Sequence, residues 1–558
     1  MTAVWSRPEV GIREEFGWRR SSHDDVEIWT KGWGGGADAA AIAAACGRWN
    51  PAPAADLIAG WLGGLHGHFA FVIAHQNWTL AVVDRVRSIP VAWSDKGNGL
   101  IDDQALRLLQ HTGQCLPDPD ASLALGMAGY TIDVATLYPT VNQLGPGEFV
   151  LFTSGAPPVR HRYYTYAPWR ADKPVYDHKQ AQKQLADLTL DIVDTMMKSL
   201  GSRTLVVPLS AGRDSRLIVS AAHHLGYRNI RTFSYGRPGN HEAKVSRAIA
   251  ERLGFPWRFV PMNVDFMRRH YVSSAYNEYL AFADTLQSVP FVQDLPQLMQ
   301  LKDEGYIPAD AVIANGNSGD YISGDHIIPA VRPVLDGVAP EQRKERVITA
   351  LYDKHFALWD GLRTAPNKAR ITRHLELSIA RAGAQFADPK DDYGIYEYAE
   401  FQDRQCKYVI SGQRIYEFLG HEWRLPLWDD AYLEFFEKVP LEGKIGQKLY
   451  ADMLRSENWG GVWRDVAVNR KTIRPHWIRP LRQLARAAHA PFGRDAWHHF
   501  EKRYFRYWME NGSHSAIRRY ADVVRDVRGA RHGIAWLTED YLRRKSLQYD
   551  GSPLPAGG

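Results

Sequence analysis

The chain has 558 residues, 45% of them hydrophobic and 23% charged, with 68 Lys and Arg against 63 Asp and Glu. That length predicts two to four domains at roughly 150 residues each, and that balance excludes a disordered chain, a collagen-like repeat and a coiled-coil rod. A net charge of +5 is too weak over such a length to indicate a polyanionic partner, and three cysteines, Cys46, Cys115 and Cys406, are too few and too scattered for a disulfide framework or zinc ribbon.

The amino terminus shows no basic region followed by an apolar run, and no apolar stretch approaches a membrane span, so a soluble, cytoplasmic protein is expected. Alternation at 26–29 predicts a strand that the glycines at 32–36 break. Alanine-rich 37–46 predicts a helix with Asp38 in its first turn. Residues 68–73 and 79–84 predict neighbouring strands and 89–93 another, with a turn at 95–99. Strands in that density imply an antiparallel layered domain. Prolines and glycines between 145 and 174 place a boundary near 165. The helix predicted over 178–200 then carries Leu185, Leu188, Ile192, Val193, Met196 and Met197 on one face.

Beyond it strand, turn and helix alternate: strand 204–209 and helix 217–225, strand 229–235 and helix 242–253, strand 257–261, and a later strand at 311–314. That order predicts a mostly parallel sheet covered by helices. Residues 330–460 and the last hundred read as helical. Within 471–490, Lys471, Arg474, Arg479, Arg482 and Arg486 interleave with Trp477, Ile478, Leu481 and Leu484, with no acid among them. Pro475 and Pro480 delay any helix there to about Leu481. It is expected to pack its apolar face on the protein's own body and show its arginines to water; an anionic membrane surface is the alternative, and nucleic acid, with no recognised module beside the charge, comes after both.

Two loops carry the chemistry. Ser210-Ala211-Gly212-Arg213-Asp214-Ser215-Arg216 joins an apolar strand to a helix, where backbone N–H groups approach anions and helix amino termini point at ligands. Small residues permit close approach, Ser210 and Ser215 supply donors, and Asp214 suits a divalent cation held against phosphate. The loop lacks the Gly-Lys-Ser/Thr ending of a Walker loop. A second apolar strand ends in Asn315-Gly316-Asn317-Ser318-Gly319-Asp320. Two aspartates at the ends of separate parallel strands suit Mg²⁺ bound to the pyrophosphate part of ATP.

The pair of loops resembles the asparagine synthetase family of ATP-pyrophosphatases, which includes the β-lactam synthetases. Residues 210–215 match its Ser-Gly-Gly-x-Asp-Ser loop with Ala211 at the first glycine. Residues 316–321 answer to its Gly-x-Gly-x-Asp-Glu loop with Ser318 and Tyr321 departing from it. Arg424-Leu425-Pro426-Leu427-Trp428-Asp429 resembles its Arg-x-Pro-x-x-Asp element, and 65–73 with 81–85 resemble its glutaminase domain. The resemblance implies an α+β Ntn-hydrolase-like sandwich over 1–165, followed over 166–558 by an α/β ATP-pyrophosphatase domain with a helical carboxyl-terminal part.

By that resemblance a carboxylate attacks ATP, pyrophosphate leaves, and an amine displaces AMP. Leu209, Ser210, Gly212, Asp214, Ser215, Ser234, Gly316 and Asp320 are expected to bind ATP, and Asp214 and Asp320 to hold Mg²⁺. Lys448 takes the place of the catalytic lysine in a glycine-flanked lid at 442–448, with Lys444 a fallback on a more exposed turn. Glu397 is the candidate for a substrate-facing carboxylate, with Tyr398, Glu400, Arg404 and Lys407 beside it on a helix over 393–408. Arg213 is expected to point to water, Asn317 cannot act as a base, and His326 is a candidate to face the substrate.

Residue 2 is Thr2 where a working glutaminase has its cysteine, and no Asn-Gly-Glu segment is visible, so glutamine is not expected to be hydrolysed. Nitrogen then comes from ammonia, from an external donor protein, or from an amine substrate. Amidation of a sugar acid in surface-polysaccharide synthesis is the first expectation. A β-lactam or lasso type of amide synthetase, ammonia-dependent asparagine synthesis and a silent scaffold are the alternatives, and a homodimer is compatible with all of them.

Overall fold

The computed structural model describes residues 7–49, 52–113, 115–332, 337–466, 473, 475–510 and 512–555. Thr2, Lys471 and Arg474 lie outside them.

The amino-terminal part is a layered sandwich. A six-stranded antiparallel sheet runs in the order Val159–Arg162, Glu148–Thr153, Trp78–Val83, His66–His75, Val26–Gly35 and Arg19–His23. One face meets the helices Ala39–Cys46 and Ala55–Leu62 through Ile28, Phe71, Ile73, Leu80, Ile42, Ile58 and Leu62. The opposite face, with Ala70, Val72, Ala81 and Phe152, meets a four-stranded mixed sheet through Ile89, Val91, Trp93 and Ile101. Successive side chains of a strand point to opposite faces, and here both faces are covered. That is why 69–74 reads as a continuous apolar run instead of an alternation.

Two strand expectations shift. The strand Val26–Gly35 does not break at Gly32 but pairs with His66–His75 as far as Gly35. A Cβ at Gly32 would stand 2.1 Å from the His68 carbonyl oxygen, so glycine here permits a close approach of two backbones instead of ending the strand. The strand expected at 89–93 is confined to Ala92–Ser94.

The carboxyl-terminal part holds an all-parallel sheet in the order Trp257–Pro261, Ile230–Gly236, Leu205–Pro208, Val312–Ala314 and Glu422–Arg424. Leu205, Val206, Val207, Val312 and Ile313 are all fully buried. The helix His178–Ser199, capped by Asp177 through the Gln180 N–H, lays Leu185, Val193 and Met196 on this core. The helices Asp214–His224 and His241–Leu253 follow the first two strands in sequence.

The helix expected over 393–408 is α-helical from Asp392 to Glu400 and then widens into a π-helix over Phe401–Val409. Polar contacts join the two parts: Arg85 pairs with Glu434 at 2.7 Å, Lys31 with Glu417 at 2.9 Å, and the Gly67 N–H donates to Asp430 at 3.0 Å. Among the described residues no helix is long and apolar enough to cross a membrane.

Candidate active site

The first parallel strand delivers its chain into a loop closed on itself. The Leu209 N–H donates to the Phe233 carbonyl at 2.7 Å, prolonging the ladder by one residue. The Ser210 N–H donates to Ser215 Oγ and the Gly212 N–H to Ser210 Oγ, each at 3.0 Å. Arg216, fully buried, donates to the carbonyls of Ala211 at 2.8 Å and Val462 at 3.1 Å and so ties the loop to the chain behind it. Ala211 is absent from the positive-φ residues, which is why a methyl group is tolerated there.

The neighbouring strand Val312–Ala314 brings the second loop alongside. A Cβ on Gly316 would stand 2.4 Å from the Ser215 nitrogen, so only glycine lets the two loops pack. Ser318 adopts φ 70°, the left-handed conformation that disfavours a side chain, and its Oγ donates to Gln405 Oε1 at 2.6 Å. That bond, offered by the π-helical segment, compensates for the missing glycine. Tyr321, fully buried, donates its hydroxyl to the Glu397 carbonyl at 2.7 Å and stacks on Trp428.

Asp214 and Asp320 meet at this junction. The Asp320 N–H donates to Asp214 Oδ2 and the Tyr450 hydroxyl to Asp214 Oδ1, both at 3.1 Å. Burial first, and the Asp320 charge second, push the Asp214 carboxyl up to about 8. Burial acts the same way on Asp320, but the His326 ring, 3.3 Å away, outweighs it and holds that carboxyl below its ordinary value. His326 also bonds to the fully buried Glu400, whose other oxygen takes Lys354 at 3.0 Å. Burial would lower His326, yet Glu400 and Asp320 raise it to about 9.

Both loops open into a cavity of about 280 Å³ that also touches Ser234, Tyr235, Phe291 and Asn317. Asp214, Glu242, Asp294 and Asp320 line it, and among the described residues no lysine, arginine or histidine does. A polyphosphate entering such a cavity needs cations. Mg²⁺ takes one or two carboxylates together with substrate phosphates, and Asp214 with Asp320 supplies such a pair.

The structure thus gathers Leu209, Ser210, Gly212, Asp214, Ser215, Ser234, Gly316 and Asp320 around one cavity. It does not bring Glu397 there. Glu397 is 1% exposed and its Oε2 accepts a bond from Lys444 Nζ at 2.7 Å. Lys444, expected on an exposed turn, is fully buried, because the 441–447 segment folds as two helical turns against the body. Burial moves Glu397 up and Lys444 down, further than their mutual attraction restores. Lys448 is exposed at the start of the helix Lys448–Glu457 and makes no hydrogen bond or ion pair among the described residues. Arg213 does not point freely to water but donates to Gln447 Oε1, one residue before Lys448. Tyr450 and Asp294 are not legible as site residues, since each lies on an element remote in sequence from both loops, whereas Glu400, expected beside Glu397, is the member of that helix that reaches the site, through His326.

Residues 184–292 match the family described as asparagine synthase, a span that includes Asp214 but neither Asp320 nor the two lysines. No curated protein matches the chain. Among solved structures it is similar to an NH3-dependent NAD synthetase from Campylobacter jejuni in complex with nitrate, at 10% identity and a TM-score of 0.20, covering 38% of this chain and 98% of that one. A structure described as the allosteric regulatory enzyme of purine biosynthesis gives 13% and 0.18, with 53% and 55% covered. The glutamine phosphoribosylpyrophosphate amidotransferase from B. subtilis, complexed with ADP and GMP, gives 11% and 0.18, with 59% and 70% covered. Similarity at this level assigns no residue a role. The partial family match falls on the first aspartate-bearing loop and on three strands of the all-parallel sheet, Leu205–Pro208, Ile230–Gly236 and Trp257–Pro261.

Proposed function

We propose that this protein is an ATP-dependent amide synthetase related to the asparagine synthetases. In this reading a substrate carboxylate attacks the α-phosphate of ATP, pyrophosphate leaves, and a nitrogen nucleophile displaces AMP from the acyl-adenylate. The observation that carries the reading is the meeting of Asp214 and Asp320 at the carboxyl ends of adjacent parallel strands, inside a cavity that Glu242 and Asp294 also line. Mg²⁺ held by that pair would neutralise phosphate charge. Ser210, Gly212 and Ser215 line the pocket where pyrophosphate oxygens would lie. Lys448 stands on the segment that sends Gln447 to Arg213 and Tyr450 to Asp214. From there it stabilises charge building on phosphorus and then on the acyl carbon.

The carboxylate we favour is a sugar acid of surface-polysaccharide synthesis, a reading supported by the resemblance of 84–90 and 233–240 to such proteins. We read the amino-terminal sandwich as a glutaminase-like domain without its reaction, since its strand Val26–Gly35 carries Gly32-Trp33-Gly34 and no Asn-Gly-Glu. In this reading it releases no ammonia, and nitrogen arrives as free ammonia, from a donor protein, or on an amine.

The test is separation of nucleotide products after incubation with Mg²⁺, ammonia and a panel of sugar acids. AMP and pyrophosphate are expected. ADP with orthophosphate would refute the adenylation reading.

A further inference from the structure

The helix Ile478–His489 begins three residues earlier than its prolines suggest, because Pro480 lies in the first turn, where its missing N–H leaves no bond unmade. Its apolar face is left largely uncovered by the protein, with Trp477 meeting only the edge of Trp508 at 6.2 Å and Phe492 that of His489 at 6.3 Å. Of its residues only Ile478 is buried. Eleven large apolar side chains are exposed among the described residues, and Trp477, Leu481, Leu484 and Phe492 are four of them, with exposures of 55%, 51%, 69% and 74%. These four include both exposed aromatics of that set.

Spacing makes the four more than a scatter. Trp477, Leu481 and Leu484 recur at helical intervals and with Ala488 form one stripe, which Phe492 follows just beyond the helix, while Arg479, Arg482 and Arg486 form a second. The side between them meets the body: Ile478 is buried, Arg482 bonds to Glu501 and lies over Trp497, and His489 packs on Phe500 at 4.3 Å. From 475 to 494 there are four arginines and no aspartate or glutamate.

We propose that this helix seats the protein on an anionic lipid surface, its Trp477–Leu481–Leu484 stripe and Phe492 entering the interface while the exposed Arg479 and Arg486 are drawn to the headgroups. Apolar side chains that include Trp and Phe, set opposite a basic face on a helix too polar to insert across a bilayer, are the pattern of an interfacial helix. A second copy fits less well, since a two-fold contact here would bring arginines against arginines. Nucleic acid would engage the arginines but leave the apolar stripe in water.

The experiment sediments the full-length protein with vesicles of phosphatidylcholine alone and with vesicles that also contain phosphatidylglycerol. Binding is expected only to the mixed vesicles and should weaken as salt rises. The pair Leu481→Ser and Leu484→Ser should lower partitioning about tenfold or more. The pair Arg479→Glu and Arg486→Glu should lower it by at least about fivefold per residue. Thermal unfolding should stay unchanged in both, since all four of these residues are exposed. Failure to sediment, equal binding to neutral vesicles, or indifference to both variants would overturn the proposal. So would self-association that the leucine variant abolishes, which would assign the stripe to a second copy.

Discussion

Replacing Lys444 by methionine separates structure from chemistry in the lysine-bearing segment. Lys444 Nζ and Glu397 Oε2 lie 2.7 Å apart with side chains 0% and 1% exposed, and the rings of Tyr166 and Tyr393 flank the ammonium. Methionine fills much of the same volume but leaves Glu397 without its counter-charge in a site that water does not reach. Breaking a buried pair from one side costs about 3–5 kcal/mol, a large share of the roughly 5–15 kcal/mol that holds a domain folded. Removing both charges, as Lys444→Met with Glu397→Leu, should recover most of that loss, because no lone charge remains. The assay is denaturant unfolding followed by tryptophan fluorescence across the four members of the cycle, with AMP formation measured on the folded fraction. If Lys444→Met unfolds within about 1 kcal/mol of the parent, or the double variant is no more stable than the single, the pair does not stabilise the fold as argued. Should Lys444→Met remain folded and lose turnover selectively, the catalytic lysine is Lys444.

Lys448→Met should leave unfolding unchanged, since its side chain is exposed, and lower kcat by about a hundred- to a thousandfold with little change in ATP binding; rapid-quench AMP formation beside calorimetry checks both. Asp214→Ala and Asp320→Ala should each abolish turnover while circular dichroism stays native, and near-normal rates in saturating Mg²⁺ would refute the loop assignment. Because the Asp214 carboxyl is raised to about 8, it holds its proton below that pH and must release it to bind a cation, so Mg²⁺ affinity should climb from about pH 6 to about pH 8 and then level off. Calorimetry in buffers of different ionisation enthalpy would register the proton, and a flat profile would contradict the placement. Glutamine should yield no glutamate above background with or without ATP, and release of glutamate would restore the glutaminase reading.

Much of the framework follows from local pattern. Continuous apolar runs at 205–207 and 312–314 mark strands covered on both faces, and each parallel strand followed by a helix is legible from the change of period. The two aspartate-ended loops are legible for the same reason. Loop residues sit at fixed offsets from a strand end, so sequence spacing translates directly into position at the sheet edge. Even the departures at Ala211 and Ser318 are visible as departures.

Only the tertiary structure decides what stands behind those loops. Tyr450 reaches Asp214, Gln405 reaches Ser318, and Glu400 holds the His326 that pairs with Asp320, all from helices far along the chain, and the π-helical widening after Glu400 belongs to no local periodicity. Lys444 and Lys448 are one turn apart and chemically equivalent as text. Burial alone makes one half of an internal ion pair and leaves the other in water. The same holds for the helix Ile478–His489, whose amphipathic pattern is plain in the sequence. Whether its apolar stripe meets the protein's own core or faces outward depends on how the preceding chain presents it, and that is a property of packing.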